Sequence, residues 1–311
     1  MLTFLRSFAL AIVSLVVFAP AANAFDVDFD RTGAYLLIDL DESHDLCMIA
    51  TQNNRIRISV LQFDPAEFAE VPDPFLYEED VLRSAAENVR DREFDAEDVL
   101  AIIVTAYDGH DLIWADQSFN GYLVAYGDQG NDTLIGGSAP NFLFGGEGED
   151  LLSGGPWRDR LDGGAGDDQL YGQGYDDRLD GGLGDDDLFG GAGNDELNGD
   201  DGNDLLRGGS GADDLYGDGG EDDLDGGYDG SVDALYGGPD ADTFTYRRYR
   251  NVESTTAPKT RYYSGSALSR TFNSLYSSST VTFTTQTSVE IDSVEDFNSD
   301  EGDQRKSIRV D

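Results

Sequence analysis

Gly145-Gly146-Glu147-Gly148-Glu149-Asp150-Leu151-Leu152-Ser153 and Gly190-Gly191-Ala192-Gly193-Asn194-Asp195-Glu196-Leu197-Asn198 are two copies of one nine-residue unit, Gly-Gly-x-Gly-x-Asp-x-Leu-x. Thirteen consecutive copies fill Gly127–Thr245. A fixed short period signals a solenoid, in which each unit buries its apolar face only against its neighbours. The period predicts an all-β fold built from stacked coils, each coil a Gly-Gly-x-Gly-x-Asp turn followed by a three-residue strand, x-Leu-x.

The turn is also where the chemistry lies. Glycines permit positive φ and close backbone approach, which frees carbonyl oxygens to point inward. The sixth-place Asp adds a carboxylate, and the result is a set of hard oxygen donors of the kind Ca²⁺ takes six to eight at a time. The eighth-place Leu has the period needed to enter the core.

On these residues the stretch resembles the RTX, or hemolysin-type, calcium-binding repeat family, whose nonapeptide is among the handful of repeats with a known Ca²⁺ role. The resemblance implies a right-handed parallel β-roll in which two repeats make one turn, with calcium between loops stacked on the same side. Same-side neighbours are then alternate repeats. Sorted so, one row keeps both fourth-place Gly and sixth-place Asp throughout: Gly130/Asp132, Gly148/Asp150, Gly166/Asp168, Gly184/Asp186, Gly202/Asp204 and Gly220/Asp222. The opposite row begins with Ala139, Trp157 and Tyr175 at the fourth place and Asn141 at the first of its sixth places. It matches fully only at Gly193/Asp195 and Gly211/Asp213; a two-residue insertion then stretches Gly226–Tyr236, and Asp242 belongs to the last repeat. The expectation is an asymmetric roll, about five ions on one side and one to three on the other. Asp159 and Asp177 stand outside the expected ligand set, because their loops lack the fourth-place glycine and Arg158 brings a competing charge.

Composition agrees. The 311-residue chain has a net charge of −43, and Gly127–Thr245 holds 31 acidic against four basic residues. Such a surface argues against a nucleic-acid or anionic-membrane partner, both of which call for basic patches. Metal-free, the stacked carboxylates should repel and leave the thin core loose, so folding and calcium binding should be coupled.

Outward from the repeats, residues 1–24 carry one charge, Arg6, then an apolar run from Phe8 to Phe18 and Ala22-Asn23-Ala24 before Phe25. This is the layout of a cleaved secretory signal, too short for a membrane span, and it predicts an exported chain. The single cysteine, Cys47, allows no internal disulfide and reads as a small core residue. Residues 25–126 read as a capping or globular segment. Strands are expected at Tyr35–Ile38, Cys47–Ile49, Arg55–Val60, Ala101–Val104 and Tyr122–Val124, with one amphipathic helix around Glu78–Val89. Ala106–Trp114 keeps Gly109, Asp111 and Ile113 at the fourth, sixth and eighth places, and so reads as a degenerate lead-in coil. Residues 246–311 read as a C-terminal cap. Tyr246–Arg250 is a basic and aromatic cluster, Ser254–Ser288 is a Ser/Thr-rich insertion, and Val281, Phe283, Val289 and Ile291 alternate like edge strands.

Neither His-Glu-x-x-His nor Gly-x-Ser-x-Gly occurs. The two histidines, His44 and His110, read as a surface turn and a loop residue. The expected function is an exported, non-catalytic, calcium-ordered β-roll. The rivals are a calcium-dependent adhesion or matrix protein, whose partner would be a polysaccharide or a cell surface, and a secreted hydrolase or toxin carrying such a roll.

Overall fold

Alternation is what converts the nine-residue period into a two-sided stack. In Arg160–Ala165, Arg160 is exposed, Leu161 buried, Asp162 half-buried and Gly163 buried again, so the first-place glycine points inward beside the leucine. Strands in the middle of the roll are therefore longer than x-Leu-x. The six from Arg160–Ala165 to Leu205–Ser210 run six residues each, through the first two places to the third, as in Asp187–Ala192 and Leu205–Ser210.

The computed structural model describes residues 26–30, 35–40, 44–63, 88–227, 229, 231–239, 242–246, 261–263, 289–290 and 306–310. They form a parallel β-solenoid of two facing sheets, each of twelve strands among the described residues. The first sheet runs Asp26–Asp30, Tyr35–Asp39, Ala101–Thr105, Tyr122–Gln129, Asn141–Glu147, Arg160–Ala165, Arg178–Leu183, Glu196–Asp201, Asp214–Tyr216, Ala234–Tyr236, Arg261–Tyr263 and Val289–Glu290. The second runs Asn88–Asp95, Arg55–Phe63, His44–Gln52, Leu112–Ala115, Thr133–Ile135, Leu151–Gly155, Gln169–Gly174, Asp187–Ala192, Leu205–Ser210, Asp223–Gly227, Asp242–Tyr246 and Lys306–Val310. Successive repeats alternate between sheets, which gives two repeats per turn.

Register keeps like on like. Leu143 pairs with Leu161, Leu161 with Leu179 and Leu179 with Leu197 in one sheet; Leu152, Leu170, Leu188 and Leu206 do the same in the other. Every one is fully buried, and an apolar core runs from Leu36 to Phe244, with a smaller cluster at Leu46, Leu61 and Leu112 beside it. Burying one such side chain stabilises by about 1.5–3 kcal/mol, and the roll has one per nine residues.

The stack does not begin at Gly127. Tyr35–Asp39 and Ala101–Thr105 join the first sheet in parallel, while His44–Gln52 and Leu112–Ala115 join the second. His44–Gln52 and Arg55–Phe63 form a hairpin whose two linking residues, Asn53 and Asn54, have φ of 51° and 62°, the left-handed pair a two-residue hairpin turn needs. At each end both sheets finish on antiparallel pairings: Asp26–Asp30 and Asn88–Asp95 at one, Val289–Glu290 and Lys306–Val310 at the other.

The strands expected between Tyr35 and Val124 are all present. The helix around Glu78–Val89 is corrected at its end: Asn88 and Val89 belong to a strand, with Val89 opposite Leu61, and cross-strand pairing overrides the local helical spacing. Residues 78–87 lie outside the described residues. So do the signal segment, Arg247–Arg250, most of the Ser/Thr-rich stretch, Val281, Phe283 and Ile291. Among the described residues no helix is long and apolar enough to cross a membrane.

Candidate metal centre

The sixth-place aspartates form two ladders. In the first, Asp132, Asp150, Asp168, Asp186, Asp204, Asp222 and Asp242 each accept, through Oδ1, the backbone N–H of the sixth-place residue one turn earlier. The first of these bonds is Asp111 N to Asp132 Oδ1 at 2.8 Å, and Asp132 N to Asp150 Oδ1 follows at 2.7 Å. The pattern repeats through Asp150, Asp168, Asp186 and Asp204, closing with Asp222 N to Asp242 Oδ1 at 3.3 Å. The second ladder runs Asn141, Asp159, Asp177, Asp195, Asp213 and Asp233 with the same bond at each step.

These carboxylates are almost completely buried, yet in Asp132, Asp150, Asp159, Asp168, Asp177, Asp186, Asp195, Asp204 and Asp213 the second oxygen, Oδ2, has no hydrogen-bond partner. A buried acceptor left so is costly. Each Oδ2 lies beside the methylene of its own first-place glycine. A methyl group added at Gly127 would overlap Asp132 Oδ2 and come within 2.6 Å of the carbonyl oxygen of Gly145, the first-place glycine one turn on. Gly145, Gly163, Gly172, Gly181, Gly190, Gly199 and Gly217 repeat the arrangement. A carboxylate oxygen thus faces a carbonyl oxygen across a space that only glycine leaves open, with no donor between them.

Burial accordingly raises these carboxyls far above the usual range: to about 7 at Asp132, Asp159, Asp168, Asp186, Asp204 and Asp213, and to about 6 at Asp150 and Asp195. Asp177 rises to about 9, through burial first and then the nearby charges of Asp159, Asp195 and Asp176. The ladder hydrogen bond pulls each the other way but does not win. Either a proton or a cation relieves such a site. Oxygen-only donors, with no nitrogen or sulfur ligand, fit a hard cation such as Ca²⁺. Among the described residues no three His, Cys, Asp or Glu side chains converge, so an ion here would take carboxylates singly, together with backbone carbonyls.

The fourth-place glycines do something else. Gly130, Gly148, Gly166, Gly184, Gly202, Gly220, Gly193 and Gly211 all have positive φ, and a methyl on any of them would run into the carbonyl of the fourth-place residue one turn earlier. They set how closely the loops stack; the carboxylate's freedom comes from the first-place glycine. In the second row Tyr175 adopts φ of 68° without being glycine, and its ring stacks on Trp157 at 5.1 Å and 4°, both rings exposed. Arg158 pairs with Asp176 and leaves Asp159 to the ladder.

All the aspartates expected from the sequence therefore stand in these ladders, and Asp159, Asp177 and Asp233 join them. At the level of the carboxylates, the difference between the rows narrows to the coil of Asn141. The lead-in coil is present as well, and it extends further than expected, since Asp45 N donates to Asp111 Oδ1 at 2.7 Å. The signal was legible in His44-Asp45-Leu46-Cys47 beside His110-Asp111-Leu112-Ile113. The first places of these two coils are Leu40 and Ala106, both buried, so the ladder continues there without the glycine gap.

The histidines have structural work that the sequence reading missed. His44 Nδ1 accepts from His110 N at 2.9 Å, and His110 Nδ1 accepts from Asn131 N at 2.6 Å. Their rings lie 5.1 Å apart. They head an outer series of fifth-place acceptors on the same side, in which Asn131 accepts from Glu149 N, Asp167 from Asp185 N, Asp185 from Asn203 N and Asn203 from Glu221 N. His44 opens a strand rather than a turn, and burial together with His110 lowers its pKa.

A parallel β-roll with rows of buried carboxylates along its turns, Oδ1 held by a backbone N–H and Oδ2 turned to the first-place glycine, has the oxygen donors that suit a hard cation. Residues 126–156, 162–197 and 198–227 match the family model described as RTX calcium-binding nonapeptide repeat. No curated protein and no solved structure matches the chain.

Proposed function

We propose that this is an exported, non-catalytic protein whose roll is ordered by a series of Ca²⁺ ions, with residues 25–126 and 246–311 closing its two ends. The observation that carries the calcium reading is the repeated, buried Asp Oδ2 without a donor, facing a first-place glycine carbonyl. Asp132, Asp150, Asp168, Asp186, Asp204 and Asp222 would hold the ions of one row. Asp159, Asp177, Asp195 and Asp213 would hold those of the other, so that the second row starts two turns earlier than the fourth-place glycines suggest. When bound, each ion supplies positive charge to a run of carboxylates that otherwise carry protons or repel. The chain's residues supply the rest: the ladder N–H groups fix each Oδ1, and the first-place glycines keep the space beside Oδ2 open.

Millimolar calcium outside the cell matches the weak affinity, Kd about 10⁻⁴–10⁻³ M, common to extracellular modules. Export rests on the N-terminal sequence 1–24. The non-catalytic reading is supported by the engagement of both histidines as backbone acceptors and by the missing hydrolase motifs; a hydrolytic activity abolished by His44→Ala would reverse it. Circular dichroism through a calcium titration, reversed with EGTA, tests the central reading. A strand signal that grows with calcium and falls part of the way back in EGTA, to a less stable metal-free fold, is expected, and a spectrum indifferent to both would refute it.

The exposed Trp157–Tyr175 stack favours a second reading, adhesion to a polysaccharide through aromatic faces. Retention on polysaccharide beads in calcium, lost in Trp157→Ala, is the result that would support it.

A further inference from the structure

Asn141 stands where every later turn of its row has an aspartate. It is fully buried and opens the second ladder. Its side chain differs from the aspartates in one respect that changes the electrostatics of the coil: the atom beside the first-place glycine is a donor. A methyl at Gly136 would overlap Asn141 Nδ2 and the Gly154 carbonyl oxygen, the same placement that Asp132 Oδ2 and Gly145 O have at Gly127. Four oxygens surround that nitrogen, at 2.7 Å (Ala139 O), 2.9 Å (Gly154 O), 2.9 Å (Asp159 Oδ1) and 3.5 Å (Gly137 O). Asn141 Oδ1 in turn accepts from Gly137 N at 3.2 Å, so the amide is oriented by donors and acceptors on both sides.

We infer that the Asn141 amide takes the place of a calcium ion, making this coil a metal-independent start for the second row. The inference rests on the calcium reading of the other coils. A carboxamide N–H₂ carries partial positive charge into a cage of three carbonyls and one carboxylate oxygen, and it does so without needing the ion. The neighbouring coils present a carboxylate oxygen at the same point, which adds negative charge to the cage and calls for a cation. Ala139, at the fourth place of this loop, has no left-handed φ, and neither has Trp157 one turn on, so what sets this coil apart from the calcium-competent turns is the amide itself. The structural consequence is directional. Asn141 holds Asp159 Oδ1 through both its backbone N–H and its amide, at 2.6 and 2.9 Å, and thereby positions the first carboxylate of the row before any metal arrives.

The test compares the full chain with Asn141→Asp by calcium stoichiometry in equilibrium dialysis and by thermal melting in EGTA. Asn141→Asp is expected to bind one additional calcium per chain and to melt at lower temperature in EGTA. The same stoichiometry in a variant that folds in calcium would overturn the inference and leave the calcium reading intact, whereas a wild-type chain that binds no calcium would overturn both. If Asn141→Asp fails to fold, Asp159→Asn serves in its place. It puts the amide one turn on and is expected to lose one calcium while raising the EGTA melting temperature. Unchanged stoichiometry in that variant would be equally fatal.

Discussion

The first-place and fourth-place glycines of each turn are there for two separable reasons, and single methyl groups should tell them apart. Gly163 has no left-handed φ and faces Asp168 Oδ2, whereas Gly166 has φ of 131° and sits over the Gly148 carbonyl. Gly163→Ala should weaken calcium binding beyond its cost to the metal-free fold, because the methyl takes the space beside the carboxylate as well as coming within 2.7 Å of the Gly181 carbonyl oxygen. Gly166→Ala should destabilise both forms by more than about 1 kcal/mol, since strain and overlap are present with or without metal. Calcium titration and melts of the two variants would check this. The raised carboxyls make a pH prediction at the same scale. An unfolded Asp titrates near ~3.9, while folded Asp132 and Asp168 titrate at about 7. Below the unfolded value both states are protonated and the metal-free fold keeps its full stability. As pH rises toward 7 the unfolded chain releases its protons first, and that stability is lost. Melting in EGTA should therefore fall from pH 4 to pH 7, and calcium affinity, which competes with the same protons, should rise over the same range. An EGTA melting temperature that climbs with pH would contradict it.

Among the elements, the leucine rungs are where sequence and structure meet most directly. Leu179 lies between Leu161 and Leu197 in the first sheet and is fully buried. Leu179→Ala should cost about 2–5 kcal/mol in the calcium-loaded form, since a six-residue strand pinned by turns at both ends has little room to collapse around the gap. A loss under 1 kcal/mol in the loaded melt would argue against a continuous core. The eighth-place period made these rungs, the parallel stack and the lead-in coil legible from the chain alone, because one residue type at one spacing decides them. The strand ends were not legible. Glycine has no apolar side chain to show in a pattern, so the burial of Gly163 and its neighbours, which lengthens the strands, leaves no trace in hydropathy. Asp159 and Asp177 were set aside for a related reason: Trp157 and Tyr175 break the visible fourth-place rule, but the carboxylate depends on Gly154 and Gly172, which are intact. Asp45 is not legible because its coil is separated from the repeats by 78 residues and begins with Leu40. At Asn141 the sequence marked the break in the row, and only the geometry shows a nitrogen among four oxygens.

Across the whole molecule, the net charge is −43, and the acidic turns of the roll stack directly on one another. Neighbouring strands in a sheet are about 4.8 Å apart, shorter than the roughly 10 Å screening length at 0.1 M salt, and the carboxylates concerned are buried. Monovalent salt should therefore not replace calcium. In EGTA, raising sodium chloride to half-molar should leave the strand signal low, and recovery of the folded spectrum there would mean that general screening, not site binding, orders the roll. The most direct measurement is anomalous scattering from calcium-loaded crystals, which places each ion. Ions are predicted beside the Oδ2 atoms from Asp132 to Asp222 along one side and from Asp159 to Asp213 along the other, with none beside Asn141. Turns that hold no ions, with each Oδ2 meeting a protein donor or water instead, would contradict the account.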